Sequence, residues 1–224
     1  MAFSRSSRGR LTDYDLRRFP GETLFHRLAR AVCHAGCLPR KELFEAWETA
    51  RRVRRLFRGG RIVDVAGGHG LLAHAMLLLD DSSSEAVVVD VSIPPSSARL
   101  HASLTEAWPR LSGRLKFLSA RIEELELLSS DIVVSVHACG GLSDLVLDRA
   151  ASSRARVAVL PCCHDLDVND DGGLGGWIDG PLAVDIVRAL RLKQQGYRVW
   201  TQSISDEITP KNRLQLGEPG DLQG

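Results

Sequence analysis

The feature that most constrains the fold is a glycine-rich turn wedged between a strand pattern and a helix pattern. Ile62-Val63-Asp64-Val65 runs into Ala66-Gly67-Gly68-His69-Gly70, and 71–79 then continues as an apolar helical segment. Such a turn lets backbone approach a ligand without clashes from Cβ atoms. It also sets a rhythm that the rest of the chain keeps. Strand patterns are expected at 61–66, 86–91, 115–118, 131–137, 156–160, 197–203 and 213–216. Helical patterns lie between them at 71–79, 97–108, 141–150 and 181–195. Continuous apolar strands such as Ile132-Val133-Val134-Ser135-Val136 belong in a sheet covered on both faces. Strands alternating with helices predict an α/β, doubly wound, mostly parallel, seven-stranded sheet with right-handed crossovers. The last two strands, joined only by 206–212, are expected as an antiparallel pair at one edge.

Upstream of Gly59-Gly60 the period changes. Leu24, Phe25, Leu28 and Val32 share one helical face, and that helix stops near Gly36. Leu43, Trp47, Val53, Leu56 and Phe57 mark a second helix after Pro39. The expected division is a basic arm and helical cap over 1–58, a ligand-binding domain over 59–218 and a tail over 219–224. The first ten residues read as a frayed arm.

Apolar residues make up 44% of the 224, enough for a sizeable core, and exclude a disordered or disulfide-scaffold chain. No run approaches the ~18 apolar residues of a membrane span. The first residues lack the apolar core of a secretory signal, and five cysteines without framework spacing suit a reducing compartment. The expectation is a cytoplasmic protein with no membrane partner. A net charge of +1 conceals asymmetry, since 1–61 holds 15 basic against 6 acidic residues. Arg51, Arg52, Arg54 and Arg55 there suggest a footprint for RNA. Between Arg156 and Arg188 there is no basic residue, yet six aspartates occur.

The turn carries Gly-x-Gly over 68–70 without the third glycine of the dinucleotide fingerprint, which argues against a hydride cofactor. About twenty residues on, the second strand ends in Asp90, where a carboxylate accepts hydrogen bonds from ribose hydroxyls. Turn and carboxylate together point to a nucleoside cofactor.

In these residues the chain resembles the class I S-adenosylmethionine-dependent methyltransferases over roughly 55–217. The resemblance implies a Rossmann-like fold with S-adenosyl-L-methionine as cofactor. Asp64, Ala66, Gly67, Gly68 and Gly70 would lie at its methionine end, Asp90 at the ribose, and Arg121 and Ile122 by the adenine. Two later segments, His137-Ala138-Cys139-Gly140 and Cys162-Cys163-His164, are similar to the signatures of a group that includes tRNA ribose 2′-O-methyltransferases. In those tRNA enzymes a second histidine usually follows, where this chain has Asp165. The implied acceptor is RNA, with a small molecule or protein side chain as the alternative. A cofactor-binding module without turnover is a third reading.

His137 and His164 are the candidate catalytic residues, because histidine titrates near neutrality and both follow strands at the ligand-binding edge. His69 is expected to pack against cofactor or backbone rather than to transfer a proton, and His26, His34, His74 and His101 to be structural. No metal site is expected: in an extended segment Cys162 and Cys163 would point to opposite faces. The glycines of 172–176 around Trp177 suggest either a lid or an ordinary loop.

Overall fold

A computed structural model describes residues 4–220. Seven strands form one sheet: β1 (Ile62–Val65), β2 (Ala86–Asp90), β3 (Leu115–Ser119), β4 (Ile132–Ser135), β5 (Arg156–Val159), β6 (Tyr197–Ser203) and β7 (Arg213–Pro219). Their order is β3-β2-β1-β4-β5-β7-β6. The first five pair in parallel, with Asp64 level with Val88 on one side and Val134 on the other. The sheet is therefore mixed. β7 is antiparallel to both neighbours and slots between β5 and β6, which leaves β6 as the edge. A hairpin laid beside β5 through its second strand explains this order, because 204–212 is too short for a crossover.

Alternation along the strands divides the interior in two. Ile62, Val88, Ile132 and Val134 face one core, shared with α1 (Leu24–Ala35), α2 (Arg40–Leu56), α3 (Leu71–Leu79) and α4 (Ser97–Ala107). Val63, Val65, Val133 and Val157 face the other, under α5 (Gly141–Ser152) and α6 (Gly180–Gln194). Both N-terminal helices belong to the first layer, α1 packed on α4 and α2 on α3.

Residues 4–10, expected as a frayed arm, are instead tied down. Lys41 and Arg40 donate their backbone N–H groups to Ser7 O and Gly9 O at 3.0 Å, and Arg10 bridges Pro39. Leu11 anchors the segment, being fully buried. Of the expected arm, residues 1–3 lie outside the described residues; of the expected tail, 221–224 do, and Pro219 still belongs to β7. Arg54 also departs from expectation. It is 2% exposed, pairs with Asp80 at 3.2 Å and donates to Met76 O and Ser83 Oγ. Arg51 and Arg52 both pair with Glu48, one turn back. Of these arginines, Arg54 ties α2 to α3 and the turn after it, while Arg51 and Arg52 pair within α2 itself. No helix among the described residues is long and apolar enough to cross a membrane.

Candidate cofactor and acceptor site

The glycine turn sits at the carboxyl end of β1, held from below and from the side. Asp64 is buried, and its Oδ2 accepts the Ala73 N–H of α3 at 3.1 Å. Burial pushes its pKa up to about 7; the Ala73 hydrogen bond opposes the shift and nearby Asp90 adds to it. His74, fully buried, meets Gly70 O through Nδ1 at 2.6 Å and His101 through Nε2 at 3.0 Å, so the expected structural role has a concrete form. Ala66 is held at φ 53°, where a residue other than glycine is uncommon and strained. Gly70 stands at φ +75°, and a Cβ there would come within 2.8 Å of Val88 Cγ2 and 3.2 Å of Phe117. That position has to be glycine.

Asp90, at the end of β2, reaches back to the turn. Its Oδ2 accepts the Gly68 N–H and its Oδ1 the Ser92 N–H, both at 3.0 Å. The carboxylate is thereby fixed at the wall of a cleft of about 350 Å³. Ala66, Arg121, Ile122 and Leu142 are among its other lining residues. A second, smaller cavity of about 30 Å³, which shares Ala66 with the cleft, is lined by Asp64, Gly67, His69 and His137 together with Leu38, Glu42 and Ala46. These last three come from α2 and the residues before it, which sequence reasoning assigned no site role. His69 Nε2 meets Ser96 Oγ at 2.8 Å, a side-chain partner just before α4 rather than backbone.

The two candidate histidines sit in different surroundings. His137 is exposed at the rim, two residues past β4, with no hydrogen bond among the described residues. Partial burial of its ring, with Lys41 nearby, lowers its pKa. The His164 side chain is 1% exposed, and its Nε2 meets Asp185 Oδ1 at 2.7 Å. Asp185 is also gripped by Arg213 at 2.6 Å and lies 3.5 Å from Arg188. Burial alone would raise the Asp185 pKa, but its hydrogen bonds from His164 and Arg213 hold it below the usual carboxylate range. Arg188 then grips Asp144 through two bonds, at 2.9 and 2.8 Å, and donates to Gly140 O. This network went unread in the sequence because, apart from the Arg188–Asp185 contact within one helix, its bonds join residues 21 to 48 positions apart.

The geometric premise against a cysteine cluster is overturned. β5 ends at Val159, and 160–164 is irregular, so Cys162 and Cys163 need not diverge. Their Sγ atoms and that of Cys139 all lie within 4.8 Å of one another.

The sheet order, the glycine turn and the Asp90 carboxylate define a class I, Rossmann-like methyltransferase fold. The chain belongs to the family of methyltransferase domains whose model, Methyltransf_32, matches residues 46–168. Solved structures agree on the fold. An O-methyltransferase family protein from Burkholderia thailandensis superposes with a TM-score of 0.53 at 18% identity, over 93% of this chain and 64% of that one. The S-adenosylmethionine-dependent methyltransferase SibL gives 0.52 at 20%, over 95% and 66%. The mitomycin 7-O-methyltransferase MmcR gives 0.52 at 17%, over 94% and 64%. The chain thus spans slightly under two thirds of the length of these three proteins. No curated protein sequence matches it.

The residues present fit a nucleoside cofactor. The cleft falls in the ~300–1,000 Å³ range of small-molecule sites, and a fixed carboxylate at its wall suits a ribose. Gly68 leaves open space where a side chain would stand, since a Cβ there would meet nothing within 4 Å.

Proposed function

We propose that this chain transfers a methyl group from S-adenosyl-L-methionine to a small, neutral or cationic acceptor. The observation that carries the acceptor class is the segment after β5. It holds Asp165, Asp167, Asp170, Asp171 and Asp179, has no basic residue, and leaves Leu166, Val168 and Trp177 exposed, Trp177 at 88%. Val168 lies beside Gly141, a residue of the 350 Å³ cleft, so this surface borders the cofactor pocket. The carboxylates repel a polyphosphate and attract a cation, and the apolar side chains offer contact to an uncharged molecule. The RNA acceptor implied by the tRNA-enzyme likeness needs the reverse. The arginines suggested as its footprint lie in the C-terminal part of α2, roughly 13–20 Å along the helix from Glu42 and roughly 7–14 Å from Ala46.

In this reading the cofactor supplies an electrophilic methyl on a sulfonium. Asp90 holds the ribose, Arg121 and Ile122 wall the adenine, and Gly67, Gly68 and Gly70 admit the amino-acid end. Asp64 supports the loop and balances the ammonium. α1 and α2 serve as the cap, with Leu38, Glu42 and Ala46 closing the methionine end. His137 receives the acceptor's proton, and His164 positions the loop beside it. Alignment supplies much of the rate, since displacement at the methyl carbon is in line.

The test is to follow label from radioactive cofactor in extract fractions. Label should enter the low-molecular-weight pool. Label removed by ribonuclease would replace this acceptor with RNA, and cofactor binding with no label in any pool would leave a binding module.

Cofactor binding makes two further expectations. By calorimetry, S-adenosylmethionine and its demethylated product should bind and NAD should not. Asp90→Ala should weaken binding by about 1–3 kcal/mol, the scale of a lost charge-assisted hydrogen bond. Unchanged affinity removes the ribose assignment. The second concerns Asp64, which is protonated in the free protein below about pH 7. A bound ammonium favours the carboxylate, so binding expels a proton and affinity falls as pH drops through about 7. Calorimetry in buffers of different ionisation enthalpy reads that proton. Asp64→Asn should abolish its release; release that persists in the variant excludes Asp64 as its source.

A further inference from the structure

We propose that Cys139, Cys162 and Cys163 form a three-thiolate site for a soft cation of the zinc class, at the carboxyl edge of β4 and β5. Around a tetrahedral zinc with ~2.3 Å bonds, sulfurs sit ~3.8 Å apart. Here all three lie within 4.8 Å of one another, about an ångström from that spacing. Thiolate is the donor that selects zinc or copper(I) over magnesium or calcium.

Core filling does not account for the cluster. Small buried cysteines are common packing residues, and Cys33 and Cys37 are of that kind, at 1% and 6% exposure. Cys139 and Cys163 are exposed and Cys162 is half-buried, so an ion has access from solvent.

Both segments that carry the thiols are held in place. Cys139 precedes Gly140, whose φ +57° and ψ −131° suit glycine alone and turn the chain into α5. Ser143 Oγ then donates to Ala138 O at 2.6 Å and the Leu142 N–H to Cys139 O at 3.2 Å. On the other segment, the Leu160 N–H bonds Ser135 O upstream of the pair. Downstream, His164 is locked to Asp185, and the Asp165 N–H to Asn169 Oδ1. The rigid surroundings fix the thiols before an ion arrives, which is what a binding site needs. Each cysteine would lose its thiol proton as its metal–sulfur bond forms. Three ligands leave a fourth position for water or an acceptor atom.

The full chain, purified without a histidine tag under reductant and stripped by chelator, should bind one cobalt(II). Thiolate-to-cobalt charge transfer and tetrahedral d–d bands report it, and one zinc should displace it. Cys139→Ser, Cys162→Ser and Cys163→Ser should each weaken zinc binding by more than the ~10–100-fold that losing an outer-shell partner costs. Cys33→Ser and Cys37→Ser should leave it unchanged. Circular dichroism and melting of the metal-free variants check that they fold, and the unmutated chain decides the matter regardless. Absent charge transfer while all five thiols titrate as free would overturn the site. So would a band that survives Cys139→Ser, or a disulfide that forms within the cluster in place of metal uptake. Cofactor calorimetry is a separate measurement, so loss of the metal site and loss of the methyltransferase reading are told apart.

Discussion

Replacing Arg188 by alanine is expected to remove about 3–5 kcal/mol of stability, the scale of a broken buried ion pair. Melting should fall by roughly 10 °C for a chain of this size. Arg188 is 2% exposed and bonds Asp144 on α5, Gly140 O at the turn before α5, and the region of Asp185 on its own helix. Its loss leaves carboxylates in low dielectric and frees the turn that carries Cys139. Arg188→Met keeps most of the volume but not the charge, so it should be nearly as damaging. Adding Asp144→Asn to it should recover part of the loss, because the uncompensated charge is then gone. The pH dependence has a definite sign. Asp185 is held below its unfolded pKa, so its contribution is present above that value and lost as pH falls. Acid unfolding should therefore begin at higher pH in the variant. Single variants that melt within about 1 kcal/mol of the parent would show that the network is dispensable.

The parts of this fold that were legible in the sequence are those set by short-range period. Val63 and Val65 face one core while Ile62 and Asp64 face the other, as a two-sided strand requires. The Gly68–Gly70 turn and Asp90 come together as their spacing predicts, through the Gly68 N–H bond. What was not legible depends on pairing between distant segments. Nothing local announces that β7 enters between β5 and β6, since either strand of a hairpin can dock on a sheet edge. Arg54 reads as one of several surface arginines in a basic helix, until Asp80, Ser83 and Met76 O are folded against it. The opposed-faces argument for Cys162 and Cys163 assumed an extended strand, and β5 stops before them. His164 and His137 looked equivalent as residues following strands. Only the tertiary partner Asp185 separates a locked ring from an exposed one.

That separation sharpens the expectation for His137, the larger of the two effects on turnover. His137→Ala should lower turnover ~10²–10⁴-fold, the contribution of a positioned general base, while cofactor affinity stays near the parent value. Its surroundings suit the task. The ring shares a cavity with Asp64, Gly67 and His69, and it has no hydrogen bond to lose among the described residues. Partial burial and Lys41 lower its pKa, so the neutral, proton-accepting form prevails at pH 7. The rate should accordingly rise with pH through an ionisation below the ordinary histidine value and level off by neutrality. In the alanine variant that limb should vanish. His164→Ala predicts a different pattern: melting and turnover fall together, because a buried ring bonded to Asp185 is removed and the loop after β5 loosens. A His137→Ala enzyme that keeps its turnover within a few-fold and retains the acidic limb would place the base elsewhere. If it instead loses thermal stability along with cofactor affinity, His137 is a structural residue.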